Sequence, residues 1–240
     1  MVRVDFSDPS SIVAAIRGHE IVYNCTADAK LHTVIDTEAE VNKRWEDLPM
    51  LPADMVWRPS TGIGYEHVKV REENDQILID SIVIGSQNTN DIFRVKYDIV
   101  LDKSWVTRAV AIRYLGEDQG LLLSSDGNGI WKDEQGQVIP ELSGCVDIDL
   151  SCTPFTNTLP INRLSYEPLQ QQEIQVVYIS AADLSYKQVK QNYTLLENGK
   201  DSSIFRYQSG NFTENITVDL NGIVVLYPNL FYREMGPDAR

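Results

Sequence analysis

The stretch Ile92-Phe-Arg-Val-Lys-Tyr-Asp-Ile-Val-Leu101 decides the fold class. Phe93, Val95, Tyr97, Ile99 and Leu101 alternate with Ile92, Arg94, Lys96 and Asp98. Successive side chains of a strand point to opposite faces, so a period of two describes a half-buried strand with one wet face. The same texture recurs outward from it, over 67–70, 77–84, 106–114, 120–124, 145–150, 174–179, 186–195, 204–207, 212–220 and 223–227. Turn signals separate the runs, among them Glu73-Asn74-Asp75, Asp126-Gly127-Asn128-Gly129, Glu197-Asn198-Gly199 and Asn221-Gly222. Asn-Gly and Asp-Gly supply the positive φ angles of tight hairpins. After residue 57 no helical period is sustained for ten residues, so the expectation is an all-β chain. It is a long antiparallel meander without βαβ units. A sheet of ten or more strands must curl, which predicts a roll or half-barrel.

Residues 1–56 read differently. Ser10 and Ser11 precede a short helical run, 19–26 reads as a strand, and Thr37-x-x-Glu40 is a capping box. It opens a helix with Val41, Trp45 and Leu48 on one face, and Pro49 and Pro52 end it. The expected organisation is a small α/β extension over 1–56, a β domain over 57–234 and a tail over 235–240.

Composition excludes several functions. The 240 residues carry 21 Lys and Arg against 35 Asp and Glu, a net charge of −14. Nucleic-acid binding needs a basic face, and docking on anionic lipid needs basic clusters. The longest apolar run is five residues, against about 20 for a membrane-spanning helix. MVRVDFSDPSS has no apolar core of leader length and carries Asp5 and Asp8, which predicts a cytoplasmic protein. Cys25, Cys145 and Cys152 are an odd and small set, read as free thiols. His19, His32 and His67 are scattered, with no metal-ligand spacing, phosphate loop or dinucleotide fingerprint, so no metal or cofactor is expected. Glu66 and His67 are adjacent, and on a strand they point to opposite faces.

The densest chemistry lies in Gly144 to Leu164. Val146, Ile148 and Leu150 face one way, and Asp147 and Asp149 the other. Two carboxylates so spaced lie roughly 6.5–7 Å apart. That separation suits acid–base work, a solvated face, or ion pairs to nearby arginines. Pro154-Phe-Thr-Asn-Thr-Leu-Pro160 is a loop that either bonds to its own backbone or offers Thr156, Asn157 and Thr158 to a polar headgroup or sugar. Arg108 shares a face with Val106, Val110, Ile112 and Tyr114, and needs a partner there: Asp147, Asp149 or a ligand's acidic group. Arg163 invites the same readings. Tyr97, Trp105, Trp131, Tyr178, Tyr193, Phe205, Tyr207 and Phe212 line the inside of the roll, as packed core or as the wall of an apolar cavity.

These residues carry a resemblance. Trp57 with Gly62-Ile-Gly-Tyr-Glu-His-Val68, then Tyr97-x(7)-Trp105-x-x-Arg108, resembles the bacterial family described as "putative glycolipid-binding". So do Asp126-Gly-Asn-Gly-x-Trp131-x-Asp133-x-x-Gly136 and Gly144-Cys-Val-Asp-Ile-Asp-Leu150. The most specific match is Pro154-Phe-Thr-Asn-Thr-Leu-Pro-Ile-x-Arg163-Leu164. Gln191-x-Tyr193 and Phe212-x(6)-Asp219-x-Asn-Gly-x-Val-x-x-Tyr-Pro228 close it. The resemblance implies a long antiparallel sheet rolled on itself, similar in shape to periplasmic lipoprotein carriers, and carries over no catalytic residue.

Three functional readings follow. The leading one is a soluble, non-catalytic binder of an amphiphile, a glycolipid or fatty-acyl compound. Its tail lies on apolar strand faces, and its head meets Arg108, Trp131, Asp147, Asp149, Thr156, Asn157, Arg163 and Tyr193. The alternatives are a hydrolase on a sugar- or lipid-containing molecule using Asp147 or Asp149, and a scaffold with no ligand.

Overall fold

A computed structural model describes residues 54–86 and 92–236. The helices and strand expected within 1–53, with Cys25, His19 and His32, lie outside the described residues, as does the end of the expected tail. Within those described, fourteen strands form one sheet, β1 (Asp54–Pro59) to β14 (Phe231–Met235). Between them run β2 (Ile63–Glu73), β3 (Gln76–Ser86), β4 (Ile92–Asp102), β5 (Thr107–Tyr114), β6 (Gly120–Ser125), β7 (Trp131–Lys132), β8 (Asp147–Leu150), β9 (Gln171–Ile179), β10 (Tyr186–Asn198), β11 (Ser202–Ser209), β12 (Phe212–Asp219) and β13 (Val224–Tyr227), and the spatial order is β7-β6-β5-β4-β3-β2-β1-β14-β13-β12-β11-β10-β9-β8. The first and last strands therefore pair in the middle, and the two edges, β7 (Trp131–Lys132) and β8 (Asp147–Leu150), are consecutive in sequence.

Alternation builds the first half of the sheet. In β4 (Ile92–Asp102), Val95, Tyr97, Ile99 and Leu101 are buried. In β3 (Gln76–Ser86) the buried set is Ile77, Ile79, Ser81 and Val83, and in β2 (Ile63–Glu73) it is Glu66, Val68 and Val70. The β2–β3 hairpin turns at Asn74 and Asp75, both at positive φ (50° and 65°), as the turn signal requires. The sheet curls without closing into a barrel. Its two edges are tied just before β8: Gly144 N–H donates to Gly129 O at 2.9 Å, and Trp131 Nε1 donates to Cys145 O at 2.8 Å. A Cβ on Gly129 would lie 2.7 Å from Gly144 Cα, so glycine is needed where the chains approach.

Two expectations change. The meander is not wholly antiparallel, because β8 runs parallel to β9 (Gln171–Ile179). Parallel neighbours need a long crossover, and residues 151–170 supply it with a 3-10 turn, Phe155–Asn157, and one short helix, α1 (Thr158–Arg163). The second change is Arg108. A register shift puts Leu101 opposite Thr107 and Val100 opposite Ala109, so Arg108 sits in a bulge of β5 (Thr107–Tyr114). The bulge slips the alternation by one, Thr107 turns inward, and Arg108 leaves the apolar face.

Candidate functional site

The crossover fills the inside of the curl. Pro154 to Ile161 is buried without a break. Phe155 packs edge-on against Trp57, with ring centroids 6.4 Å apart, and Leu159 joins the core of the first half. Ile161 joins the core of the second half beside Tyr193, Phe205, Tyr207 and Tyr227. The segment is therefore a plug between two sub-cores.

Most residues expected to carry a ligand hold this plug. Asp147 is fully buried, and Arg163 binds both its oxygens, Nε to Oδ1 at 2.9 Å and Nη2 to Oδ2 at 2.6 Å. Asp149 accepts from Gln191 Nε2 at 2.6 Å and from Thr156 Oγ1 at 3.3 Å. Burial pushes both carboxyls above their ordinary range, against the lowering effect of these donors. Tyr193 donates to Asn157 Oδ1 at 2.9 Å, and Asn157 Nδ2 donates to Pro154 O at 3.1 Å. Trp131 is buried against Cys145. Arg108 stands apart: its Nε and Nη2 donate to Asp102 Oδ2 at 3.1 and 2.7 Å, and Nη1 donates to Asp126 O. So Asp147 pairs with Arg163, and Arg108 with neither Asp147 nor Asp149. Arg163 also borders a shallow depression of about 490 Å³ with Val146, Leu164 and Ile174.

The larger space lies elsewhere. Gly64 and Gly85 are cross-strand partners, and Gly85 also pairs with Phe93. They stand two residues from Glu66 and Val83, hence on the same inner face. Two paired glycines leave that face bare. The Phe93 ring leans over Gly85, where a Cβ would lie 2.8 Å from Phe93 Cζ. Across the gap stand Ser151, Cys152, Ala181 and Ala182, and Tyr114 donates to Ala181 O at 2.9 Å. The result is a cleft of about 790 Å³. That volume is typical of small-molecule sites. Trp57, Val83, Phe93 and Phe231 give it apolar walls, while the exposed side chains of Ile63, Tyr65, Ile84 and Ile92, out of phase with Glu66, Val83 and Phe93, lie on the outer face of the sheet.

Glu66 is the one charged residue among the described residues that line the cleft. It is 3% exposed. Oε1 accepts from Tyr97 Oη at 2.6 Å and from Ser81 Oγ at 3.0 Å, while Oε2 has no hydrogen-bond partner. Desolvation by burial raises this carboxyl from 4.5 to about 7, with the Tyr97, Thr153 and Ser81 hydroxyls acting the other way. His67, next to it, faces solvent beside Asp54, as the alternation predicts.

None of the eight residues expected from the sequence lines this cleft. Glu66 escapes the sequence reading because the strand read from the pattern begins at 67, whereas β2 extends back through Glu66, in phase with buried Val68 and Val70. The available signal was Gly62-x-Gly64-x-Glu66, small residues and a carboxylate sharing one face.

A family model described as "Putative glycolipid-binding" matches residues 54–233. The crystal structure of a DUF1089 family protein from Pseudomonas aeruginosa is similar, with 31% identity and a TM-score of 0.63. The match covers 73% of this chain and 95% of that one. Comparison with curated proteins returns no match. Among the described residues, no helix is long and apolar enough to cross a membrane.

Proposed function

This chain belongs to the family described as "Putative glycolipid-binding", and from that premise we propose that it is a non-catalytic binder of an amphiphile, held in the cleft between β2–β4 and the 151–152 and 181–182 segments. One observation carries the reading: about 790 Å³ of cleft with apolar walls at Trp57, Val83, Phe93 and Phe231. Apolar walls gain by leaving water, and an apolar chain lying along the cleft gives them that cover. The ligand's tail covers Trp57, Val83, Phe93 and Phe231, and its polar end meets the few polar groups that converge there. Asp147, Asp149, Thr156, Asn157 and Tyr193 then act from a distance, by fixing the plug that forms the opposite wall.

Calorimetric titration with decyl maltoside, below its micelle concentration, tests this. The expected outcome is saturable binding by the native protein and its loss in Ala182→Trp, where an indole at an exposed lining position obstructs the cleft. Equal binding by both proteins, or none by the native one, would remove the cleft from consideration.

A further inference from the structure

We infer that Glu66 selects the head of the ligand: the cleft takes an acyl chain whose uncharged ester or amide carbonyl accepts a hydrogen bond from the Glu66 Oε2–H, and it rejects carboxylate-headed chains. This rests on the amphiphile reading above and names the ligand class within it.

Oε1 already accepts two donors, Tyr97 Oη and Ser81 Oγ. A proton on the carboxyl therefore belongs on Oε2, the oxygen without a partner. A buried polar atom left unpaired costs free energy, and Oε2 is enclosed as it stands, so a turn of the Glu66 side chain toward the cleft it lines is the step that lets a ligand oxygen recover it. A neutral carboxylic acid donates from that atom, so the fitting ligand group is an acceptor.

Charge decides the rest. The described residues that line the cleft include no Lys, Arg or His. An anionic head would enter a desolvated space with no counter-charge and would oppose ionisation of Glu66. The titratable groups that face Glu66 are the Tyr97 phenol from β4 and the Cys152 thiol after β8, with the Tyr114 phenol of β5 beside Cys152. β1 offers Trp57 and β3 offers Ser81, neither of which titrates. Burial holds the Tyr97 phenol well above its ordinary value and pushes the Cys152 thiol up. Among the described residues that line the cleft, the group that changes charge between pH 5.5 and 8.5 is thus Glu66, which burial pushes up to about 7. His67 lies on the opposite face of β2, and Glu66→Gln leaves it unchanged.

The test compares N,N-dimethyldecanamide, an acceptor with no donor and no charge, with decanoate, by calorimetry on the full chain. The native protein should bind the amide about tenfold more tightly at pH 5.5 than at pH 8.5, the value of one hydrogen bond. At pH 8.5 decanoate should bind more weakly still. Glu66→Gln keeps an Nε2 donor that does not titrate, so its affinity for the amide should be the same at both pH values. Amide binding that ignores pH in the native protein overturns the inference, and so does decanoate binding as tightly as the amide. In either case decyl maltoside binding that Ala182→Trp abolishes would leave the cleft itself standing. Failure of all three compounds to bind overturns both the inference and the reading beneath it.

Discussion

Asp147 and Glu66 are both carboxylates buried inside one curled sheet, and the fold treats them in opposite ways. Asp147 has each oxygen bound by the Arg163 guanidinium in a bidentate pair, and neighbouring Asp149 is met by Gln191 and Thr156. Glu66 has two hydroxyl donors crowded on one oxygen and nothing on the other. The first arrangement is complete, and adding a ligand would displace something. The second is incomplete, and it borders the larger of the two spaces, the cleft rather than the depression beside Arg163. Buried polar groups are costly unless satisfied, so a saturated cluster points to architecture and an unsaturated one to a ligand.

The comparison breaks most sharply at the plug. Arg163→Met strips Asp147 of its counter-charge inside the fold, and removing one partner of a buried pair costs about 3–5 kcal/mol. Denaturant unfolding should show a loss of that size, whereas Asp147→Leu combined with Arg163→Met should recover much of it. A single-variant loss under about 1 kcal/mol would mean that the pair is not as enclosed as it stands here.

Next in size is the pH dependence set by Glu66. The folded carboxyl keeps its proton up to about pH 7, while the unfolded one releases it near 4.5. Between those values the folded state binds more protons, so Glu66 makes stability fall as pH rises from 4.5 to 7 and level off above. The span corresponds to ~3 kcal/mol. Subtracting the Glu66→Gln stability curve from the native one should isolate this fall. Parallel curves for the two proteins would place Glu66 in a wetter setting than the structure gives it.

Tyr97→Phe sharpens the contrast further. It removes one donor from Oε1 and should cost about 1–2 kcal/mol. Because that donor lowers the Glu66 carboxyl, its loss should move the pH-linked fall upward. A downward move would contradict the hydrogen-bond assignment. The smallest effect belongs to Ala182→Trp. An exposed substitution should change stability by within about 0.5 kcal/mol while blocking the cleft. A large loss of stability would show that Ala182 is packed rather than open.

Much of this fold could be read from alternation alone. Val95, Tyr97, Ile99 and Leu101 are buried as the period of two requires, and Asn74-Asp75 makes its turn. Local patterns report local structure, and hairpins are local. What failed depended on distant or irregular pairing. Arg108 was misplaced because one bulge residue in β5 inverts the faces before it, and composition does not mark a bulge. The parallel β8–β9 pair depends on how 151–170 folds back, and its alternation of prolines and hydroxyls reads equally as a surface loop. The Asp147–Arg163 ion pair stands among the alternatives that the sequence offers, and choosing it over a ligand requires knowing that a helix returns residue 163 to the strand sixteen residues before it. Glu66 was hidden for the same reason. Its environment is assembled from Tyr97, Ser81 and Cys152 on other segments, and two glycines with no side chains make its space.

The central claim is that the cleft, not the plug, holds an apolar ligand. Native mass spectrometry of the full chain, purified without detergent and then incubated with N,N-dimethyldecanamide at pH 5.5, tests it most directly. The account predicts a one-to-one adduct on the native protein, lost on denaturation and absent from Ala182→Trp. A native protein that takes up no adduct, or an Ala182→Trp protein that carries the same adduct, would contradict it.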